Sequence, residues 1–367
     1  MLTIYVIILT FFVETNHKKF IKMKKLNLSI LAFASLFISC NDDNANEVEE
    51  FFIVSEGNLS YSKGTKLDVS EWSWKDATLS GETAKETLSD EYTEDISVSG
   101  VVSLTGTTFV RSGATLTFEA GTELVASQGG AEVNIIVEQG GKIVVAGTSA
   151  MPVIFSSENG EPGDWGGLTI LGKGISSGGV DVEFEVGSYP YGGDIVNDNS
   201  GSIKYLIVKG TGAQIDSESQ TNGISFCAVG SGTTIENIAV INGDDDGVEF
   251  YGGSVSAKNV YLENNSDDSV DWTENWTGGI TNVYISHTVK GFSTVFEGDK
   301  ENGNPTFNNV TAISSVGGRA LQFKKASGAS VNNLYLEGYD QEIQFADPDL
   351  FIIENVKIDG ATAVISE

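Results

Sequence analysis

Ala257-Lys-Asn259-Val-Tyr-Leu262 is followed 23 residues later by Ile280-Thr-Asn282-Val-Tyr-Ile285, and this near-copy decides the fold. The same template, apolar–any–Asn–apolar–any–apolar, recurs at Ile235–Val240, Phe307–Ala312, Val331–Leu336 and Ile353–Ile358. Its asparagines, at 237, 259, 282, 309, 333 and 355, are spaced by 22, 23, 27, 24 and 22 residues. A period of this size marks stacked supersecondary units, and the period-2 alternation inside each unit makes them β-coils. One short strand cannot bury its apolar face alone, whereas stacking joins the faces into a continuous core. An Asn at the same turn of every coil can bond main chain and the Asn above and below, satisfying amides that would otherwise be orphaned. The expected fold is all-β, a right-handed parallel β-helix with an N-terminal cap.

Working outward from the repeats, strands of three to five alternating residues punctuated by glycine begin near Ile96, so the helix is assigned to residues 96–367. Residues 51–95, with Trp72 and Trp74 among polar residues, lack the repeat and are read as the cap that an open solenoid end requires. A polar insertion, roughly Ser176 to Ser202, breaks the rhythm and is expected to loop out of one face, often the binding face in solenoids.

The first residues carry an address. Met23-Lys-Lys25 opens a basic segment, Leu26–Ile38 is apolar, and Ser39-Cys40 follows, so residues 1–39 read as a signal region with its true start at Met23. The layout resembles a bacterial lipoprotein signal with Cys40 lipidated, and Cys40-Asn-Asp-Asp43 resembles the acidic surface-export signal of Bacteroidetes lipoproteins. Residues 40–50 form an acidic tether. The expected location is the outer membrane, lipid-anchored and facing outward. Cys227, the second of two cysteines, reads as a packed thiol.

With 21 Lys+Arg against 51 Asp+Glu, the chain has a net charge of −30. That field repels nucleic acid and anionic polymers and favours divalent cations, which excludes a nucleic-acid partner.

Several blocks resemble glycine-rich surface lipoproteins of Bacteroidetes with a pectin-lyase-like β-helix. They are Ala114–Thr122, Ile136–Ile143 with Ala146-Gly-Thr148, Gly163-Asp-Trp-Gly-Gly167, Gly230–Ile235 and Asp245–Gly253, over residues 85–290. The resemblance implies this fold and a cell-envelope location, and no established activity.

Stacking the coils predicts columns. Counting nine residues on from each Asn aligns Asp246, Asp268, Lys290, Arg319 and Gln341, with Asn222 one coil earlier. A second column holds Ser225, Glu249, Asp271, Ser293, Gln322 and Gln344. With strands about 4.8 Å apart, Asp245, Asp246, Asp267 and Asp268 are the candidate metal ligands, with Ca²⁺ as the hard-oxygen cation that suits them. Tyr251, Trp276, Glu249 and Asp271 are the candidate contacts to an extracellular polysaccharide, Trp276 being the aromatic expected to be exposed.

Three functions fit. One is a surface binding body for carbohydrate with divalent-cation support. Another is an enzyme: a Ca²⁺-dependent polysaccharide lyase with Lys290 as base and Arg319 stabilising developing charge, or an inverting glycoside hydrolase using Asp246 and Asp268. The third is a passive adhesin-like rod. His287, followed by Thr288 rather than Gly, reads as a surface turn residue.

Overall fold

A computed structural model describes residues 54–366, apart from 57–58, 185, 218, 302, 348–351 and 358–363. The signal region, Cys40 and the tether lie outside the described residues. The chain is a right-handed parallel β-helix built from two long sheets of 15 and 12 strands. Among the described residues no helix is long and apolar enough to cross a membrane.

In the C-terminal half each coil contributes one strand of eight or nine residues to the larger sheet and one of four to seven to the smaller. The long strand Gly201–Lys209 pairs with both Lys142–Ala146 and Val153–Ser157, so it fuses two strands that are separate one coil earlier. What permits the fusion is a bend in mid-strand. Asn237, Asn259, Asn282, Asn309 and Asn333 all lie near φ +60°, the left-handed region that Asn tolerates better than most residues. Tyr205 occupies the same position in the preceding coil, also at positive φ.

At each bend the Asn amide points along the helix axis. Asn259 Nδ2 donates to Asn237 Oδ1 (2.8 Å), Asn282 to Asn259 (2.7 Å), Asn309 to Asn282 (2.8 Å) and Asn333 to Asn309 (2.8 Å). The three apolar template positions, for example Ile235, Ile238 and Val240, face the core. On the smaller sheet Phe226, Phe250, Trp272, Phe296 and Phe323 fill the same interior.

Two segments depart from expectation. The N-terminal region closes the near end of both sheets with Glu86–Thr87 and Glu91–Tyr92, and it also reaches the other end. Leu59–Lys63 pairs in parallel with Ala329–Glu337, at the far end of the larger sheet. The chain then runs back along the outside of that sheet. Leu67 N donates to Thr311 Oγ1 (2.8 Å), Trp74 meets Tyr205 edge-on at 5.7 Å, Lys209 Nζ donates to Ala77 O (3.1 Å), and Glu86–Thr87 finally pairs with Val101–Leu104. Trp74 is buried against Ile154, Ile207, Ala239 and Tyr261, an apolar stripe on the outward face of the sheet. The segment is therefore a strap, and burying that stripe is its physical reason. The sixth repeat also departs: Ile352–Lys357 pairs antiparallel with Gln341–Asp347 instead of stacking on Ala329–Glu337.

Asn282→Ala should destabilise the helix by about 3 kcal/mol. Left-handed strain on a Cβ residue supplies about 1 kcal/mol, and two lost ladder bonds supply about 1 kcal/mol each. Asn282→Gly should recover about the strain portion. Urea titration of both variants checks the difference.

Candidate functional site: an acid nest on the smaller sheet

Along the smaller sheet, alternation sends every second side chain outward. The register Ser225↔Glu249, Glu249↔Asp271, Asp271↔Glu297, Glu297↔Gln322 and Gln322↔Gln344 stacks these residues into one column. Beside it runs a second column containing Asp268↔Thr294 and Arg319↔Gln341, with Asp246 stacked against Asp268.

The two columns differ from the sequence reading in one coil. Thr294 and Glu297, not Lys290 and Ser293, occupy the columns there. The coil between Asn282 and Asn309 is longer than its neighbours, and its extra residues loop out at Thr288–Phe292, before the strand Thr294–Gly298 begins. Lys290 is exposed on that loop. Arg319 does lie in the column, half-buried, with its Nε donating to Gln341 Oε1 (3.1 Å). Glu297 was missed, although a signal existed: apolar–(Glu/Asp/Gln) at Val248-Glu249, Val270-Asp271, Phe296-Glu297 and Leu321-Gln322 tracks the column without counting from the Asn.

The corrected columns bring five carboxylates together. Asp246, Glu249 and Asp271 each place a carboxylate oxygen within 4.8 Å of the others, and so do Asp268, Asp271 and Glu297. At the margin, Asp245, Asp246 and Asp267 form a third such set, with Asp267 exposed and Asp245 half-buried. Asp246, Asp268, Glu249 and Glu297 are buried. Most of them have assigned partners. Asp246 Oδ1 accepts from the Asp268 N–H (2.8 Å), and Asp268 Oδ1 accepts from Thr294 Oγ1 (2.5 Å). Glu249 Oε2 accepts from Asn222 Nδ2 (2.6 Å) and from the Tyr251 hydroxyl, and Glu297 pairs with Lys324. Asp271 Oδ1 is enclosed with no hydrogen-bond partner.

Burial above all, and then the neighbouring carboxylates, push Asp246, Asp268 and Asp271 well above the usual carboxylate range. For Asp246 the neighbours that raise it are chiefly Asp271 and Glu249; for Asp271 they are Glu249 and Glu297, opposed in part by Lys324. The nest thus concentrates more negative charge than its cations offset. The set is all hard oxygen, and donors within 4.8 Å of one another can reach one Ca²⁺ at about 2.4 Å.

The aromatic candidates are not exposed. Trp276 is fully buried, stacked on Phe250 at 4.0 Å and 9°, with Nε1 donating to Val255 O (3.0 Å). Glu274 and Asn275, both at positive φ, precede it in the turn. Tyr251 does project outward, but the insertion folds over it: Phe184 and Tyr191 contact its ring at 5.3 and 6.2 Å. The insertion is latched by Glu274 Oε2, which accepts from Ser176 Oγ (2.6 Å) and Tyr191 OH (2.9 Å). His287, too, is wholly enclosed rather than a surface turn residue. It stacks on Phe292 at 3.6 Å between Ser269 Oγ (3.1 Å) and Tyr339 OH (3.0 Å).

A solenoid with stacked acid columns on one flank is the class of molecule this geometry defines. Residues 90–362 match the family model of the pectate-lyase-like β-helix domain, and the chain belongs to that family. No curated protein matches it. Among solved structures it is similar to PfbA, a surface adhesin of Streptococcus pneumoniae, at 9% identity over 74% of this chain and 90% of that one, with a TM-score of 0.31.

Two predictions follow from burial. Trp276→Ala should cost about 3–5 kcal/mol of stability by opening a core cavity, which thermal unfolding measures. Burial holds His287 down at about 4, whereas the unfolded chain takes up that proton near pH 6.5. Falling pH therefore favours the unfolded state, and His287 withdraws up to about 3 kcal/mol of stability as pH drops from 6.5 to 4. Above pH 6.5 its contribution is flat. The difference between the wild-type and His287→Asn stability–pH curves isolates this slope.

Proposed function

We propose that the chain is a surface-displayed, lipid-anchored binding protein whose β-helix holds a divalent cation, Ca²⁺ by its donor chemistry, at Asp246, Glu249 and Asp271. The observation that carries the reading is Asp271 Oδ1, enclosed without a hydrogen-bond partner among carboxylates that repel it. An unsatisfied buried acceptor costs about 1–3 kcal/mol, more when charged, and a cation at that point satisfies it while neutralising its neighbours. The lipid anchor rests on the sequence from Met23 to Cys40 and on the resemblance to Bacteroidetes surface lipoproteins.

The ligand class is extracellular carbohydrate. Since Trp276 and Tyr251 are enclosed, the sugar is met by the exposed margin, Asp267 with the half-buried Asp245, and by the open coordination positions of the cation. Ca²⁺ accepts six to eight oxygens, so hydroxyl or carboxylate groups of a glycan can complete its shell. The binding reading is preferred to the lyase reading, since Lys290 stands on the loop outside the columns and Lys324 is paired to Glu297.

Calorimetric titration of the protein with CaCl₂ tests the cation. Binding in the unsubstituted chain, lost by at least about tenfold in Asp246→Asn/Asp271→Asn, is the expected result, since Ca²⁺ affinity is tuned by the charge count of its ligands. Equal affinity in both would remove the cation from the nest. A glycan panel with and without Ca²⁺ then identifies the ligand by retention that chelator abolishes.

A further inference from the structure

In the larger sheet Ala329–Glu337 is the last strand of the coil series, followed by Leu59–Lys63 and Val54–Glu56, and two segments of the chain fit its outer edge. One is Leu59–Lys63, which occupies it in parallel. The other is the sixth repeat, Ile353–Ile358, whose Asn355 follows Asn333 by 22 residues, the spacing that separates Asn237 from Asn259. By the template that builds every preceding coil, the sixth repeat should stack there and receive the ladder.

Leu59–Lys63 fits the edge less completely. Its register slips between Tyr61 and Lys63. It has no Asn: Ser62 stands at the ladder position and its Oγ accepts from the Asn333 N–H (3.0 Å). Gly64 then passes so close that a Cβ would lie 2.4 Å from the Asn333 carbonyl carbon. The sixth repeat meanwhile holds an antiparallel pairing to Gln341–Asp347, on the other sheet. In the five coils before it, a repeat of this sequence pairs in parallel on the larger sheet.

We propose that the sixth repeat is the alternative occupant of the Ala329–Glu337 edge and exchanges there with Leu59–Lys63. The exchange keeps the Ala329–Glu337 edge paired in both states, and the repeat gives up its pairing to Gln341–Asp347 to dock there. The sixth repeat adds one ladder step and an unslipped register. Leu59–Lys63 brings with it the strap, whose Trp74 covers Ile207, Ala239 and Tyr261. When the repeat docks, the helix gains a coil and the strap loses its anchor at Leu59–Lys63. This inference does not rest on the cation nest.

Two cysteine pairs in the full chain report the two states. Ser60 and Ser330 are in contact through their hydroxyls (3.2 Å), so S60C/S330C links the strap-docked state. In the repeat register Glu354 would lie beside Asn332, so N332C/E354C links the repeat-docked state. Each variant is oxidised with diamide and linked peptides are identified by mass spectrometry. Both links should form, and Tyr61→Pro, which disrupts the Leu59–Lys63 pairing, should raise the N332C/E354C link by about fivefold, the factor one net hydrogen bond supplies. Absence of the N332C/E354C link in both backgrounds overturns the proposal. Should Tyr61→Pro not fold, hydrogen exchange on oxidised N332C/E354C decides. Fast exchange across residues 59–63 supports the exchange, and protection equal to that of the unsubstituted chain overturns it.

Discussion

Parallel, in-register stacking sets the terms for everything else in this molecule. Coils about 4.8 Å apart place each side chain directly on its equivalent in the next coil, so a column is stable only if its residues complement one another. Asn does so, because one amide both donates and accepts, and four successive ladder bonds of 2.7–2.8 Å result. Aromatic rings do so by stacking, as Phe226 on Phe250 at 5.0 Å and 13° shows. A carboxylate does not: stacked on another carboxylate in a buried site, it is repelled and has no proton to share unless it is protonated or bound to a cation.

The coat of the solenoid follows from the same geometry. A sheet has two faces, and the outward face of the larger one carries an apolar stripe that stacking alone leaves exposed. The strap covers it with Trp72 and Trp74, while the hairpin Val182–Glu183/Pro190–Tyr191 covers Leu171, Cys227 and Tyr251 on the smaller sheet. Cys227 is buried as a consequence, consistent with a packing thiol. The covered patch adjoins the acids, since the Tyr251 hydroxyl donates to Glu249.

The sequence made the period, the strands, the core positions and the ladder legible, because each is a local pattern repeated in register. Asp246, Asp268, Glu249 and Asp271 could be aligned by counting because their coils have ordinary length. Counting failed at Lys290, where a loop of extra residues precedes the strand and nothing local says on which side of the strand the extra residues fall. Burial of Trp276 was illegible for a different reason: a turn with two residues at positive φ sends it inward, and polar surroundings in sequence conceal that. Pairing of Leu59–Lys63 with a strand about 270 residues away leaves no periodic trace at all. The sixth repeat shows the converse. Its pattern matches the template, yet a competing strand holds its edge.

The composition of the outward column argues that the acids are not incidental. Ser225 precedes them, and Gln322 and Gln344 follow, the Gln322 amide donating to Glu297 Oε2 (3.0 Å) and accepting from Arg319 Nη1 (2.9 Å). These are residues that stack on themselves at no electrostatic cost. Glu297 is offset by Lys324, which reaches back one coil. At Glu249 and Asp271, with Asp246 and Asp268 alongside, the column sets carboxylate on carboxylate, and Lys324 offsets Asp271 only in part. A column selected for stability alone would continue the amide and hydroxyl pattern through these two coils. Local rules broken without compensation inside an otherwise consistent fold are where function is expected to reside, and here the break is confined to adjacent coils.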